Sequence, residues 1–216
     1  MTAEALAVAY GELVDVVASL DDGDGWRPTG CVGWAVRDLT FHLLGDAQRA
    51  LVAFATPAGR PADTDAVSYW APDEWGDDGA ANGRRFTRVA ASMWTTFPPL
   101  RDLHVETARA AVRAAARVPA DEVVTTQGLA LTVADLCTTL AVEAAVHQLD
   151  LVVALDRPGP RALAPVRETL DGLLGRPVPL PWSDDHYARA GTGRVPLTDD
   201  ERAALGADAA RFPLFR

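Results

Sequence analysis

The chain has 216 residues, enough to bury one substantial hydrophobic core. It carries 30 acidic side chains against 20 basic ones, all of them arginine, for a formal net charge of −10. With no stretch that concentrates those arginines, neither a nucleic acid nor an anionic membrane is an expected partner.

Met1 to Leu20 holds Glu4, Glu12 and Asp15 and no basic residue, so it lacks the charged start of a signal peptide. Its apolar positions, Leu6, Ala9, Tyr10, Leu13, Val16, Val17 and Leu20, recur at helical spacing. Asp21 to Gly25 ends that helix, and Trp26 to Gly33 forms a loop around Pro28 and Gly30. A second helix is predicted from Ala35 to Phe54, with Val36, Leu39, Leu43, Ala47, Ala50 and Phe54 as its apolar stripe.

Thr56 to Gly79 is rich in Pro, Gly and Asp and carries Tyr69, Trp70 and Trp75. A connection this long suits a functional loop or lid better than a simple link. Ala80 to Phe97 reads as helical as far as Pro98-Pro99, which should break it. Leu100 to Val118 is predicted as a helix with Leu103, Ala110, Ala111, Ala114 and Val118 inward, and Val123 to Leu131 as a small hairpin around Gly128.

Leu131 to Leu155 is predicted as one long helix, capped by Thr132 with Asp135 at capping-box spacing and ended by Arg157-Pro158-Gly159. Leu136, Leu140, Ala144, Leu151 and Ala154 make its stripe. No run reaches the roughly 18 apolar residues expected of a membrane span. Ala162 to Leu174 is a fifth helix, Thr198-Asp-Asp-Glu201 opens a short one that Gly206 ends, and the apolar tail RFPLFR should pack back onto the body. The pattern is all-α: a four-helix bundle with one long inter-helix loop and a short mixed C-terminal extension.

Chemistry concentrates on two of these helices. Glu143 lies four residues before His147, so the pair are neighbours on one helical face, and His147 falls within the apolar stripe. Burying a carboxylate or an imidazole alone is costly, and a metal ion is the simplest shared partner. His42, on the second helix, completes a two-His, one-carboxylate set if those helices adjoin. Such a set leaves coordination positions open, as in catalytic zinc sites, and also suits iron(II) or nickel(II). Asp46 and Asp150 stand where outer partners would orient these ligands. Spacing alone equally permits a core histidine with Glu143 paired to an arginine. His104 reads as a surface or interhelical residue, His186 as solvated, and GTGR at 191–194 as too short for a phosphate site. Cys31 and Cys137 read as isolated thiols of a cytoplasmic protein, with Cys31, 11 residues before His42, the less expected ligand.

The run Cys31-Val-Gly33-Trp34-Ala-Val36-Arg37-Asp38-Leu39-Thr-Phe-His42-Leu43 resembles the entry to the metal-bearing helix of the DinB-like superfamily. More closely, it resembles the mycothiol-dependent maleylpyruvate isomerase family, whose second motif is matched by Glu143-x-x-x-His147-x-x-Asp150. The resemblance spans roughly residues 3–156. It implies a metal-binding bundle over 1–157 and a packed extension over 158–216, with His42, Glu143 and His147 as ligands to a divalent metal, usually zinc. It further implies mycothiol as a thiol co-substrate, and an isomerase or S-transferase acting on an electrophile, as monomer or homodimer. Ala35 departs from the Thr or Ser cap of many relatives, and no arginine of the short acidic C-terminal region matches the isomerase's substrate-carboxylate site. A metal-binding bundle without turnover, acting as a stress-response or ligand-binding module, fits the same residues.

Overall fold

The computed structural model describes residues 3–71 and 77–215, so Trp75 lies outside the described residues. The first helix, α1 (Ala3–Ala18), buries Leu6, Ala9, Tyr10, Leu13, Val16 and Val17, the face its periodicity predicts. After the loop comes α2 (Val36–Phe54), with Ala35 at its N-cap. Ala35 has no side chain to cap with. The Asp38 carboxylate does half of that work by accepting the Ala35 N–H at 2.9 Å, beside the positive end of the helix.

Between α2 and the next core helix, the loop from Thr56 to Ala71 does not stand free as a lid. Asp63 accepts the Ala130 N–H at 2.9 Å, and Ala58 donates to the Val123 carbonyl at 2.8 Å. Then come α3 (Asp77–Ala91) and α4 (Pro98–Ala115). Pro98 and Pro99 do not break a helix that runs to Phe97. They open α4, where a missing N–H costs nothing because the first-turn donors have no helical partner in any case.

A small antiparallel sheet pairs β1 (Val123–Thr126) with β2 (Leu129–Thr132) through a two-residue turn. Gln127 and Gly128 both hold positive φ, 51° and 84°, as the twist of a tight hairpin requires. The fold is therefore mostly helical with a two-stranded sheet. The chain then enters α5 (Val133–Leu151), whose N-cap Thr132 accepts the Asp135 N–H at 3.0 Å. A single helical turn, Val152–Ala154, follows.

The apolar stripe predicted for α5 understates it, because both faces are buried. One face packs with α1, α2 and α4 around a core that includes Leu39, Phe97, Leu100 and Leu136. The other, carrying Val142, Ala145, Val146 and Leu149, is covered by α6 (Ala164–Leu174), α7 (Asp184–Gly191), α8 (Asp199–Leu205) and the tail. Val133–Ala154 is in fact long and apolar enough to cross a membrane, against expectation, but 78% of that window is buried inside the fold. A helix apolar all round is what a position between two layers demands.

The second layer also contains a helix that spacing missed. Ser183 caps α7 by accepting the His186 N–H, and Asp184 and Asp185 occupy its first turn. His186 is not simply solvated: it pairs with Glu201 of α8 at 2.6 Å. In the tail Leu214 and Phe215 are buried, and Phe215 stacks on Trp70 at 4.5 Å between ring centroids.

Of the two places open to His104, surface and interhelical, the structure takes the second. The inward face of α4 is Leu100, His104, Thr107, Ala108, Ala111 and Ala115, one residue out of phase with the predicted stripe, and Leu103 is 37% exposed. His104 is 1% exposed, its Nδ1 has no hydrogen-bond partner among the described residues, and burial pushes its pKa down to about 4. Unfolding restores the ordinary value of 6.5, so the unfolded chain binds the extra proton. Stability from the neutral imidazole is thus full above pH 6.5 and is lost as pH falls toward 4. His104→Leu should retain up to roughly 3 kcal/mol more of its neutral-pH stability than wild type across that window, measured by urea unfolding at both ends.

Candidate metal centre

The packing of α2 against α5 brings three sequence-predicted side chains to one point. His42 sits on the edge of the buried face of α2, one turn after Asp38, and its side chain keeps 23% exposure. Glu143 and His147 project from the middle of α5. His42 Nε2 lies 3.1 Å from His147 Nε2 and 3.2 Å from Glu143 Oε1, and His147 Nε2 is 3.4 Å from Glu143 Oε1. The two imidazoles meet edge to face at 85°, with centroids 4.8 Å apart, and the Trp34 indole packs on His42 at 5.3 Å. The expected second carboxylate, Asp46, is buried on α2; Arg49 pairs with its Oδ1, while its Oδ2 lies 3.4 Å from His42 Nε2 and receives no hydrogen bond from the described residues.

This donor set fits a cation. Two imidazole nitrogens and one carboxylate oxygen converge, and beside His42 the buried Asp46 Oδ2 has no hydrogen-bond partner among the described residues. Ligand atoms bound at about 2.0–2.2 Å around one ion stand about 3 to 3.5 Å apart, the spacing of His42, Glu143 and His147. The electrostatics agree. Burial works against charge on Glu143 and His147 alike, yet His147 and His42 hold the Glu143 carboxyl well below its usual range, and Glu143 holds the His147 imidazole well above its own.

Behind His147 stands a second cluster. Its Nδ1 lies 3.0 Å from Asp150 Oδ2, and the Cys31 Sγ approaches the same oxygen at 3.3 Å. Arg194 grips Asp150 from the other side, Nε to Oδ1 at 2.9 Å and Nη2 to Oδ2 at 2.6 Å. Despite burial, His147 and Arg194 hold the Asp150 carboxyl at about pKa 2. Cys31, His147 and Asp150 also place possible ligand atoms within 4.8 Å of one another. A fork already engaging both Asp150 oxygens disfavours a second ion there.

One of these participants is not legible in the sequence, and a second, Cys31, reads there as the less expected ligand. Cys31 looked like an isolated loop thiol, and its partners are 116 and 119 residues away. Arg194, inside the dismissed GTGR, had no spacing signal. The glycines of that run shape it: Gly193 turns with φ 73°, and a side-chain carbon on Gly191 would meet Leu170 at 2.7 Å.

The ligand cluster opens onto a cleft of about 1860 Å³. Trp34, Phe41, Trp70 and Phe215 give it apolar walls, and Gln127 lines its rim. Among the described residues, Trp70 is the loop aromatic that lines the cleft, while Tyr69 accepts a hydrogen bond from Gln127 at 2.9 Å. Among the described residues the lining holds five arginines (49, 84, 189, 194 and 202) against two carboxylates, Glu143 and Asp150. In a chain of net charge −10 that is a local inversion of sign.

A model of the mycothiol maleylpyruvate isomerase N-terminal domain family matches residues 6–152. No curated protein and no solved structure gives a match.

The loop before α2 is held against the cluster at Gly30, whose N–H donates to the Asp150 carbonyl at 2.9 Å. A side-chain carbon at Gly30 would fall 2.5 Å from Asp150 Oδ1 and 3.1 Å from its Cα. Gly30→Ala should therefore cost about 1–3 kcal/mol in denaturant unfolding. Gly45→Ala, where nothing lies within 4 Å on the same cleft, should stabilise α2 by about 0.5–1 kcal/mol.

Proposed function

Because the chain belongs to the mycothiol maleylpyruvate isomerase N-terminal domain family, we propose that it is a divalent-metal-dependent enzyme that uses a small-molecule thiol for isomerisation or S-transfer. The observation that carries this reading is the convergence of His42, Glu143 and His147 on the wall of a deep cleft. These three residues are the proposed ligands, with zinc as the first candidate and iron(II) or nickel(II) suited to the same donors. In this reading residues 1–157 form a DinB-like four-helix bundle and 158–216 an extension packed on it.

When bound, the ion would act as a Lewis acid and hold a thiol such as mycothiol in its nucleophilic thiolate form at neutral pH. The chain's own residues do the rest. Two imidazoles and one carboxylate occupy one side of the centre and leave the side facing the cleft for a small molecule. Asp150 offers its carboxylate to Nδ1 of His147, so that ring is held with Nε2 toward the centre, while Asp46 lies beside Nε2 of His42 itself. Trp34 packs on the His42 ring and, with Phe41, gives the cleft an apolar wall. The excess of arginine around the cleft favours an anionic electrophile as the second substrate.

Elemental analysis of untagged protein should find about one equivalent of divalent metal. His42→Ala, Glu143→Ala and His147→Ala should each lose it while remaining helical, and His104→Leu should retain it. Full occupancy in the three variants would sink the ligand assignment. Incubation with mycothiol and maleylpyruvate, or a panel of other electrophiles, then separates the activities. Conserved thiol with an isomerised product marks an isomerase, and thiol loss marks a transferase. Tight thiol binding without any product would favour the module without turnover.

A further inference from the structure

Arg194 lies outside residues 6–152, the region matched by the family, yet it touches the partner of a proposed ligand. We propose that Arg194 is a positioning residue that sets metal affinity through Asp150 and His147, so that the C-terminal segment completes a centre whose ligands all lie before it. The inference rests on the metal-site reading above and extends it to a residue that makes no contact with the three ligand atoms.

The argument starts at the imidazole. For Nε2 of His147 to offer a lone pair beside His42 and Glu143, Nδ1 must carry the proton and find an acceptor. Asp150 Oδ2, 3.0 Å away, is that acceptor. Asp150 can serve only if its plane is fixed, because a carboxylate turning about its bond presents its oxygens elsewhere. Two parallel N–H···O bonds from one guanidinium fix the plane as no single contact does, and Arg194 supplies both. Asp150 is 2% exposed with Arg194 in place, so in the intact protein water does not share that task.

Arg194 is itself held. Its Nη1 donates to the Thr192 carbonyl at 3.1 Å, and Gly193 turns the chain with φ 73°. The Leu214 N–H reaches the Gly191 carbonyl at 2.7 Å, so the buried tail anchors the turn that presents the arginine. The structure thus places in line tail, turn, guanidinium, carboxylate, imidazole and centre. A purely structural role for the Arg194–Asp150 pair, joining the C-terminal segment to α5, predicts lower stability and leaves metal affinity alone.

The deciding experiment is zinc affinity by competition with a chromophoric chelator, with thermal unfolding of the metal-free protein as a parallel check on folding. Arg194→Met should weaken zinc binding about 10- to 100-fold, with Arg194→Lys between it and wild type, because an ammonium keeps the charge and loses the fork. Arg176→Met, which removes the Arg176–Asp208 pair elsewhere in the same segment, should leave affinity unchanged. In an Asp150→Asn background, Arg194→Met should cause no further loss, since the path already ends at Asp150.

Wild-type affinity in Arg194→Met overturns the proposal, as do losses that multiply in the double variant or an equal loss in Arg176→Met. If Arg194→Met does not fold, Arg194→Lys carries the test, and wild-type affinity there overturns the proposal. Wild-type protein that binds no zinc overturns the metal-site reading itself, an outcome distinct from all of these.

Discussion

The structure depends on the burial of α5 on both of its faces. A helix that carries Glu143, His147 and Asp150 and has apolar layers on either side cannot leave those groups to water, and isolated buried charges cost several kcal/mol each. Every ionisable group on its inner half must find a partner, and the rest of the chain is arranged to supply them. His42 comes from α2, Cys31 from the loop before it, and Arg194 from beyond α7. The centre is therefore where the two layers meet, and neither layer holds all of it.

This accounts for features that look unrelated when taken singly. Gly30 is small because the loop must press on the backbone of Asp150. The tail is apolar at a chain end because Leu214 and Phe215 close the second layer, and Phe215 stacks on Trp70 across the cleft. Ala35 can stand at the N-cap of α2 because Asp38 meets its N–H, so His42 keeps its place without a capping hydroxyl. Val36-Arg-Asp38-Leu39 and Val133-Ala-Asp135-Leu136 share one pattern for a like reason, a carboxylate in the first turn of each ligand-bearing helix.

The charge pattern divides in the same way. Acidic residues dominate the chain, but the cleft collects arginines, several of them in pairs with aspartates: Arg49 with Asp46, Arg189 with Asp185, Arg194 with Asp150. Paired arginines do two things at once. Arg49 and Arg194 compensate buried carboxylates near the centre, and the remaining N–H groups of all three give the cleft walls a positive character.

Local physics made the main helices legible in sequence. Apolar spacing located α1, α2 and α5, capping chemistry marked Thr132, Thr198 and Gly206, and the i,i+4 rule paired Glu143 with His147. Each of those features depends on residues within one or two turns of each other. The phase of α4 is not legible because alanines lie on several of its faces and do not mark the inner one, so spacing leaves His104 as surface or interhelical, and only packing puts it inside. Only the tertiary structure decided that α5 is covered on both sides, that Cys31 lies against Asp150, and that Arg194 reaches across 44 residues to the same carboxylate. Nothing local records such contacts, because they follow from how one layer docks on another, and packing between layers has no period in the chain.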